Sequence, residues 1–378
     1  MVSAQTVEDN VTQFYGKTKI CYGPYALETL ESFPARHAFV VTDPFMVKSG
    51  FADQAISHLK RKGIGYSVFS GVEPDPTLQA VVEATGHFLR SKSDMIIALG
   101  GGSAIDMAKA IAYFGNKADG GRKAMLVAIP TTSGTGSEVT SIAVITDKAN
   151  AVKIPLNDES LIPDAAILDA RFTRTVPPHV TASTGMDVLT HAVEAYTSRY
   201  SNVFTAIYAE RAIRNVFTYL QRAYDHGDDM VARDNMLIGS CMAGMAFTNS
   251  GLGVTHSMAH SLGGQFHIPH GLANAVLLPF VISFNSFDAG VKYREIAEMI
   301  GLPSATVEEG TRNLINAVRD LNTAMHIPAR VRELKVDEQE YHRGLDAMAA
   351  NALEDICTRS NPRLPSHDDL VSLLESAW

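Results

Sequence analysis

Three short apolar runs decide most of what this chain can fold into: HAFVVTD (37–43), DMIIALG (94–100) and AMLVAIP (124–130). DMIIALG is almost wholly apolar, without the alternation of a strand that keeps one wet face, so it reads as a strand buried on both sides. Helical spacings in QAISHLKRKG and TLQAVVEATGHFLRS, and a further β-rich run YSVFSGV (66–72), lie between the three. Strands separated by helices in this way predict a parallel sheet with helices on both faces. From about residue 179 the β-branched runs fade. Helical patterns then follow one another over 181–198, 204–225, 231–249, 253–267, 272–287, 291–300, 305–324, 336–356 and 367–377. The prolines of VPPH (176–179) stop a strand ladder and a helix alike. The expected organisation is an α/β domain over 1–178, an all-helical domain over 179–378, and a cleft between them.

Composition narrows the class. With 41 acidic against 32 basic residues the net charge is −9, and no Lys/Arg cluster offers a nucleic-acid face or a basic membrane patch. The three cysteines, Cys21, Cys241 and Cys357, are far apart and read as free thiols of a reducing cytoplasm. The N-terminal stretch MVSAQTVEDNVTQF carries acidic residues and no apolar h-region, so it is not a secretory signal. The longest apolar run, LANAVLLPFVISF, is short, contains Pro279 and reads as core rather than as a membrane span.

Two loops carry candidate chemistry. In DMIIALGGGSAIDMAKAIA a buried strand runs into Gly100, Gly101, Gly102 and Ser103, and a helix opens at once. Glycines let backbone approach a pyrophosphate, and a helix N-terminus offers free N–H groups; the same cluster also serves a tight strand-to-helix turn. AIPTTSGTGSEVT follows the next strand and gathers Thr131, Thr132, Ser133, Thr135 and Ser137. Hydroxyls and amides at the C-terminal ends of neighbouring parallel strands converge where such sheets hold ligands. Asp43 closes the first of these strands, either as a turn aspartate before Pro44 or as a carboxylate that accepts from an adenosine ribose. In the second role its charge repels a 2′-phosphate and favours NAD(H) over NADP(H).

The helical half holds an unusual density of imidazoles. His256, His260, His267 and His270 crowd into GVTHSMAHSLGGQFHIPHGLAN, in a chain with 13 histidines. Asp187 and His191, in ASTGMDVLTHAVEAY, lie four apart on one helical face, and His256 and His260 repeat that spacing. A lone histidine on an apolar face is ordinarily a satisfied core residue. Here Asp187, His191, His256 and His270 all sit in segments short of charged neighbours, and a divalent first-row metal would satisfy them together.

The blocks GGGSAIDMAKA, PTTSGTGSEV, GMDVLTHAVEAY and GLGVTHSMAHSLGGQFHIPHGLANA resemble those of the iron-containing (group III) alcohol dehydrogenases. The resemblance runs from about residue 19 to the C-terminus. HSLGGQFHIPHGLANAVLL and TRSNPRLP are most similar to the branch of 1-propanol dehydrogenases from propanediol-degrading microcompartments. It implies a dinucleotide-binding first domain and a metal-binding second one. Asp187, His191, His256 and His270 match the ligands of a catalytic metal, ferrous iron or in some members zinc. His260 matches a non-ligand histidine of a proton relay, and His267 falls outside the ligand set as pocket lining or structure. Gly100, Gly101, Gly102 and Ser103 match the pyrophosphate loop, Thr131, Thr132 and Thr135 the second NAD(H) loop, and Asp43 the ribose carboxylate. Lys153 matches a lysine that reaches the nicotinamide ribose, and Asp75 stands where the family often has asparagine on the adenine side.

The activity so implied is hydride transfer between NAD(H) and a short-chain aldehyde or primary alcohol of the propanal/1-propanol kind. Ile142, Val144 and Phe247 either wall an apolar substrate pocket or are plain core residues. Related reductases for 1,3-propanediol, sulfoacetaldehyde or glycerol, and a non-catalytic assembly protein of the same fold, are the rival readings. The resemblance also implies a homodimer. Val7, Val11 and Phe14 form an i, i+4, i+7 stripe suited to a capping helix, a dimer arm, or docking on a partner in a microcompartment lumen.

Overall fold

The computed structural model describes residues 12–121, 123–148 and 152–378. Its first half is a six-stranded sheet in which every pairing is parallel. The strands are β1 (Lys19–Tyr22), β2 (His37–Thr42), β3 (Gly65–Phe69), β4 (Met95–Gly100), β5 (Met125–Pro130) and β8 (Ala165–Leu168), in the order β1-β8-β5-β4-β2-β3. Helices α1 (Pro44–Lys48), α2 (Phe51–Lys62), α3 (Leu78–Ser91) and α4 (Gly102–Ala118) supply the crossovers.

The apolar runs are continuous because both faces of the sheet are covered. Val40, Ile97 and Val127 pack with Ala55, Ile56 and Leu59 of α2 on one face. Their neighbours Phe39, Ile96 and Leu126 pack with Phe88 of α3 and Ile105 and Ile111 of α4 on the other. Each of the larger side chains among these contributes about 1.5–3 kcal/mol by leaving water.

β2 pairs with β3 on one side and β4 on the other, so the winding direction reverses between β2 and β4. Beyond the carboxyl ends of those two strands lies the crevice where open α/β sheets hold ligands. Strands β1 and β8 and the antiparallel hairpin of β6 (Ile142–Asp147) and β7 (Val152–Asn157) are additions to the sequence reading. KICY and AAIL are only four residues long, too short to show a period.

The second half is helical: α5 (Pro178–Thr197), α6 (Val203–Asp225), α7 (Met230–Ser250), α8 (Val254–Phe266), α9 (His270–Met299), α10 (Val307–Ala324), α11 (Glu338–Glu354) and α12 (His367–Ala377). The sequence pattern divides 272–300 in two, whereas α9 is one helix of 30 residues. Gly290, which looks like the break, is the close approach to α10: a Cβ there would lie 2.6 Å from Val307 Cγ1. Helix α9 has the length and hydropathy of a membrane span, yet it packs against α5, α8, α10 and α12 at the centre of the bundle.

The apolar stripe expected near the N-terminus lies mostly outside the described residues, at Val7 and Val11. Phe14 is not on a helix. It precedes β1 in irregular chain and packs its ring against Phe204 and Tyr208 of α6. Asn249 of α7 holds this stretch by a reciprocal pair of hydrogen bonds with the Tyr15 backbone, at 2.7 and 3.1 Å.

Candidate metal and cofactor site

Helix α5 places Asp187, His191 and Glu194 along one face, because residues three and four apart recur on the same side. Helix α8 adds His256 and His260, and α9 begins with His270 directly after Pro269. Gly271 makes the junction possible. A Cβ there would lie 2.3 Å from the Ser183 carbonyl oxygen of α5, so only glycine lets α9 start this close to Asp187. Asp187, His191, His256 and His270 each offer a ligand atom, and the four atoms lie within 4.8 Å of one another. All but His270 are buried; its side chain is 41% exposed.

The local hydrogen bonding sets the protonation of these groups. Glu194, itself buried, accepts from the backbone N–H of Gly253 at 2.8 Å and of Thr255 at 2.7 Å, capping the start of α8. His256 Nδ1 lies 2.6 Å from Glu194 Oε2, the oxygen that also accepts from Gly253. Burial, reinforced by His191 and His270, holds the His256 pKa well below the imidazole range. The ring is therefore neutral, with its proton on Nδ1 toward Glu194 and a bare lone pair on Nε2. That nitrogen is buried and has no hydrogen-bond partner among the described residues, and His191 Nδ1 is in the same position. Buried nitrogens of this kind call for a missing acid, and a cation supplies one.

Asp187 is arranged to match. Burial alone would raise its pKa, but His191, His270 and His256 around it hold the carboxyl below its ordinary range. Asn274, one turn into α9, donates to Asp187 Oδ1 at 2.7 Å and so orients it. Although part of its ring is exposed, the protein packed around His270 strips it of water and pushes it down to about 4 against the pull of Asp187. One carboxylate and three imidazoles thus fit a divalent first-row metal. Phe247 of α7 stacks on the His191 ring at 4.6 Å, and His256 stacks on it at the same distance.

His260 stands apart from this set. Its side chain is 46% exposed, its ring stacks on His270 at 5.2 Å, and its Nδ1 lies 2.8 Å from Asp355 Oδ2. Asp355 is held well down, to about 2: burial raises it, and His260 together with the Cys357 N–H more than compensates. His267 is the left-handed C-cap of α8, with its N–H on the Gly263 carbonyl, so its position is explained by helix termination.

The cofactor loops meet at the sheet's crevice. Asp43 N-caps α1 by accepting from Met46 N at 3.0 Å. Its Oδ2 would be 3.5 Å from a Cβ on Gly100, so the turn aspartate and the glycine loop are neighbours. Gly101, Gly102 and Ser103 form the opening of α4. Thr131 N donates to the Gly100 carbonyl at 3.0 Å. A Cβ on Gly101 would meet Thr132 Oγ1 at 3.3 Å, and one on Gly102 would meet Thr135 Cγ2 at 2.7 Å. The second loop also reaches the helical half. Gly136, at φ +61°, packs against Gly244 of α7, and Gly134 against Thr184, one turn before Asp187.

Lys153 of β7 pairs with Asp75 at 2.7 Å, both side chains exposed, and its charge is felt by His270. The two residues assigned separate contacts by resemblance therefore bind each other. Ile142 and Val144 lie half-buried on β6; the Ile142 carbonyl accepts from Lys109 at 2.8 Å and Val144 N donates to Asp106 at 3.0 Å. Of the three proposed pocket residues, Phe247 has the ring contact with the ligand cluster.

The sequence reading did not single out Glu194, Asn274 or Asp355. Glu194 carried a signal, since it falls on the Asp187/His191 face of an otherwise apolar stretch. Asn274 carried a fainter one, four residues after His270. Asp355 carried none.

Known proteins bear on this arrangement. Residues 17–170 match the family described as iron-containing alcohol dehydrogenase, and 181–378 match the C-terminal part of the Fe-containing alcohol dehydrogenase family. An NADPH-dependent butanol dehydrogenase of Clostridium saccharobutylicum is 40% identical over 374 residues, 95% of this chain and 96% of that protein. A 1-propanol dehydrogenase of Citrobacter freundii is 40% identical over 363 residues, 95% of this chain and 98% of that protein. The solved structure of a 1,3-propanediol oxidoreductase superposes with TM-score 0.92 at 33% identity, over 97% of this chain and 100% of that one. A sulfoacetaldehyde reductase of Bifidobacterium kashiwanohense, solved with NAD+, gives TM-score 0.88 at 26% identity, over 97% and 98%.

Proposed function

The chain belongs to the iron-containing alcohol dehydrogenase family, and from that premise we propose that it interconverts a short-chain primary alcohol and its aldehyde, of the propanal/1-propanol kind. NAD(H) carries the hydride. The observation that carries this reading is the convergence of Asp187, His191, His256 and His270, with unpartnered buried nitrogens, beside two loops built for a dinucleotide. Asp187, His191, His256 and His270 would hold ferrous iron, or zinc, which supplies a Lewis acid for the substrate oxygen.

The chain's own residues do the rest. The N–H groups at the start of α4 receive the pyrophosphate, and Thr131, Thr132 and Thr135 line its other side. Asp43 accepts from the adenosine ribose and repels a 2′-phosphate. Lys153 has its ammonium near the cleft and exchanges Asp75 for the nicotinamide ribose. Phe247, with Ile142 and Val144, keeps water from the reacting carbon and leaves space for a short aliphatic chain. Asp355 holds the His260 Nδ1 proton, which leaves Nε2 to take a proton from the alcohol side or return one from solvent. Glu194 plays the same orienting part for His256.

We place the domain boundary at 178/179, and the working form as a homodimer in the cytoplasm or a microcompartment lumen, on the resemblance to the 1-propanol dehydrogenase branch. Co-purification with shell proteins that survives removal of residues 2–14 would end the idea that the N-terminal segment targets it there. The central test is a steady-state panel of short aldehydes with NADH on anaerobically iron-loaded protein. Propanal and its near homologues are expected to give the highest kcat/KM; no NADH oxidation with any of them would overturn the reading. Coenzyme choice has a separate check, because a close relative uses NADPH. Asp43→Ala is expected to improve the kcat/KM ratio of NADPH to NADH by roughly tenfold, the scale of one ion repulsion near a surface. An unchanged ratio removes Asp43 from coenzyme selection.

A further inference from the structure

Among the described residues, one other group of metal-competent donors lies beside the four-residue set and shares no residue with it. His260 of α8, Asp355 and Cys357 each offer a ligand atom within 4.8 Å of the other two. They come from two distant segments that the tertiary fold joins. Asp355 ends α11 and caps the short 3₁₀ turn Ile356–Ser360, accepting from Cys357 N at 2.8 Å, so the carboxylate is held against the backbone that carries the thiol. The His260 ring completes the group from α8, 2.8 Å from Asp355 and half open to solvent, which leaves an entry path.

The donor set is chemically selective. An imidazole, a carboxylate and a thiol suit a tetrahedral ion that accepts sulfur, with three protein ligands and one position left for water. Calcium and magnesium prefer oxygen alone and would not choose it. The four-residue set, in contrast, contains no sulfur. His260 stacks on His270 at 5.2 Å, so an ion in the trio would sit next to the first centre.

We propose that His260, Asp355 and Cys357 form a second, inhibitory site for Zn2+. On binding, the Cys357 thiol gives its proton to solvent and the thiolate, one carboxylate oxygen and one ring nitrogen donate lone pairs to the ion; no electrons are transferred. Zinc held there occupies His260 and stops it from passing protons. Only this inhibitory consequence rests on the function proposed above; the site itself does not.

The test uses the full chain, loaded anaerobically with iron. Added Zn2+ is expected to be retained as a second metal without loss of iron, and to inhibit turnover reversibly on brief chelation. Cys357→Ser, which leaves zinc-free turnover in place, is expected to raise the zinc concentration for half-inhibition by at least about tenfold, the scale at which even outer partners weaken metal sites. Co2+ in place of Zn2+ is expected to give a sulfur-to-metal charge-transfer band that Cys357→Ser abolishes. That band reports on the trio even in an Asp187→Ala protein, so failure of the first centre and failure of this one are told apart. Cys357→Ala provides the same comparison should the serine variant fold poorly. No second metal, a cobalt band that survives loss of Cys357, or inhibition that tracks loss of iron would each overturn the proposal.

Discussion

Two buried polar clusters flank the second cofactor loop, and they solve the problem of buried charge in opposite ways. Between α4 and β6, Lys109 is fully buried and donates to Thr140 Oγ1 and the Ile142 carbonyl, both at 2.8 Å. Asp106 accepts from Ser137 Oγ at 2.6 Å and Val144 N at 3.0 Å. Burial lowers Lys109 to about 8 against the pull of Asp106 and Glu138, so it remains largely a cation at neutral pH. The ion and its partners close on one another; among the described residues, Glu138 Oε1 and, further along β6, Thr146 Oγ1 are left over. In the other cluster, between α5, α8 and α9, His256 Nε2 and His191 Nδ1 stay bare while the atoms behind them are tightly held. Burial is thus common to both. What separates a latch from a binding site is whether the polar atoms find partners inside the protein.

That contrast can be broken at several points. The largest effect is expected from Asp187→Ala or His256→Ala, which should lose the metal and lower kcat by about 10³-fold, several kcal/mol of Lewis-acid stabilisation, with thermal unfolding little changed. Metal analysis and turnover must fall together; a metal-free variant that turns over normally would refute the assignment. Lys109→Met should do the reverse. By leaving Asp106 without its counter-charge it should destabilise the fold by about 3 kcal/mol in thermal or denaturant unfolding while the metal content stays at the wild-type level.

His260→Ala is expected to keep its metal and slow turnover about 10²-fold, most visibly as a changed pH profile, as befits loss of a proton-transfer group. An unchanged profile would take His260 out of the proton path. The smallest effect concerns retention of the metal. Glu194→Gln should weaken metal affinity about tenfold, the lower end for a carboxylate behind a ligating imidazole. Metal retention should also fall as pH drops. Ligand nitrogens must be neutral to bind, and His270, lowered to about 4, accepts a competing proton only in that range. Dialysis against a pH series should therefore show metal loss increasing toward acid.

Much of this was legible in the chain as written. The nearly all-apolar run DMIIALG (94–100) announced a strand covered on both faces, and AMLVAIP (124–130) a further strand beside it. The i, i+4 pairs Asp187/His191 and His256/His260 announced shared helical faces. Other features gave no such signal. Gly290 looks like a helix break until Val307 is seen against it. Phe14 looks helical on spacing, yet irregular chain carries it onto α6. Asp75 and Lys153 read as two separate contacts and pair with each other.

What the sequence by itself determined is local: which segments are strands and helices, which side chains share a face, and which residues have the chemistry to ligate or to cradle phosphate. Periodicity and composition encode these because neighbours in the chain are neighbours in space. Only the tertiary structure decided that α5, α8 and α9 meet at one point. The partnerships that tune the site span 62 residues for Glu194 with His256, 87 for Asp187 with Asn274 and 95 for His260 with Asp355. Contacts across such separations leave no period in the chain. They exist because apolar burial brings the helices together, and close approach at residues such as Gly271 then fixes which polar atoms face each other.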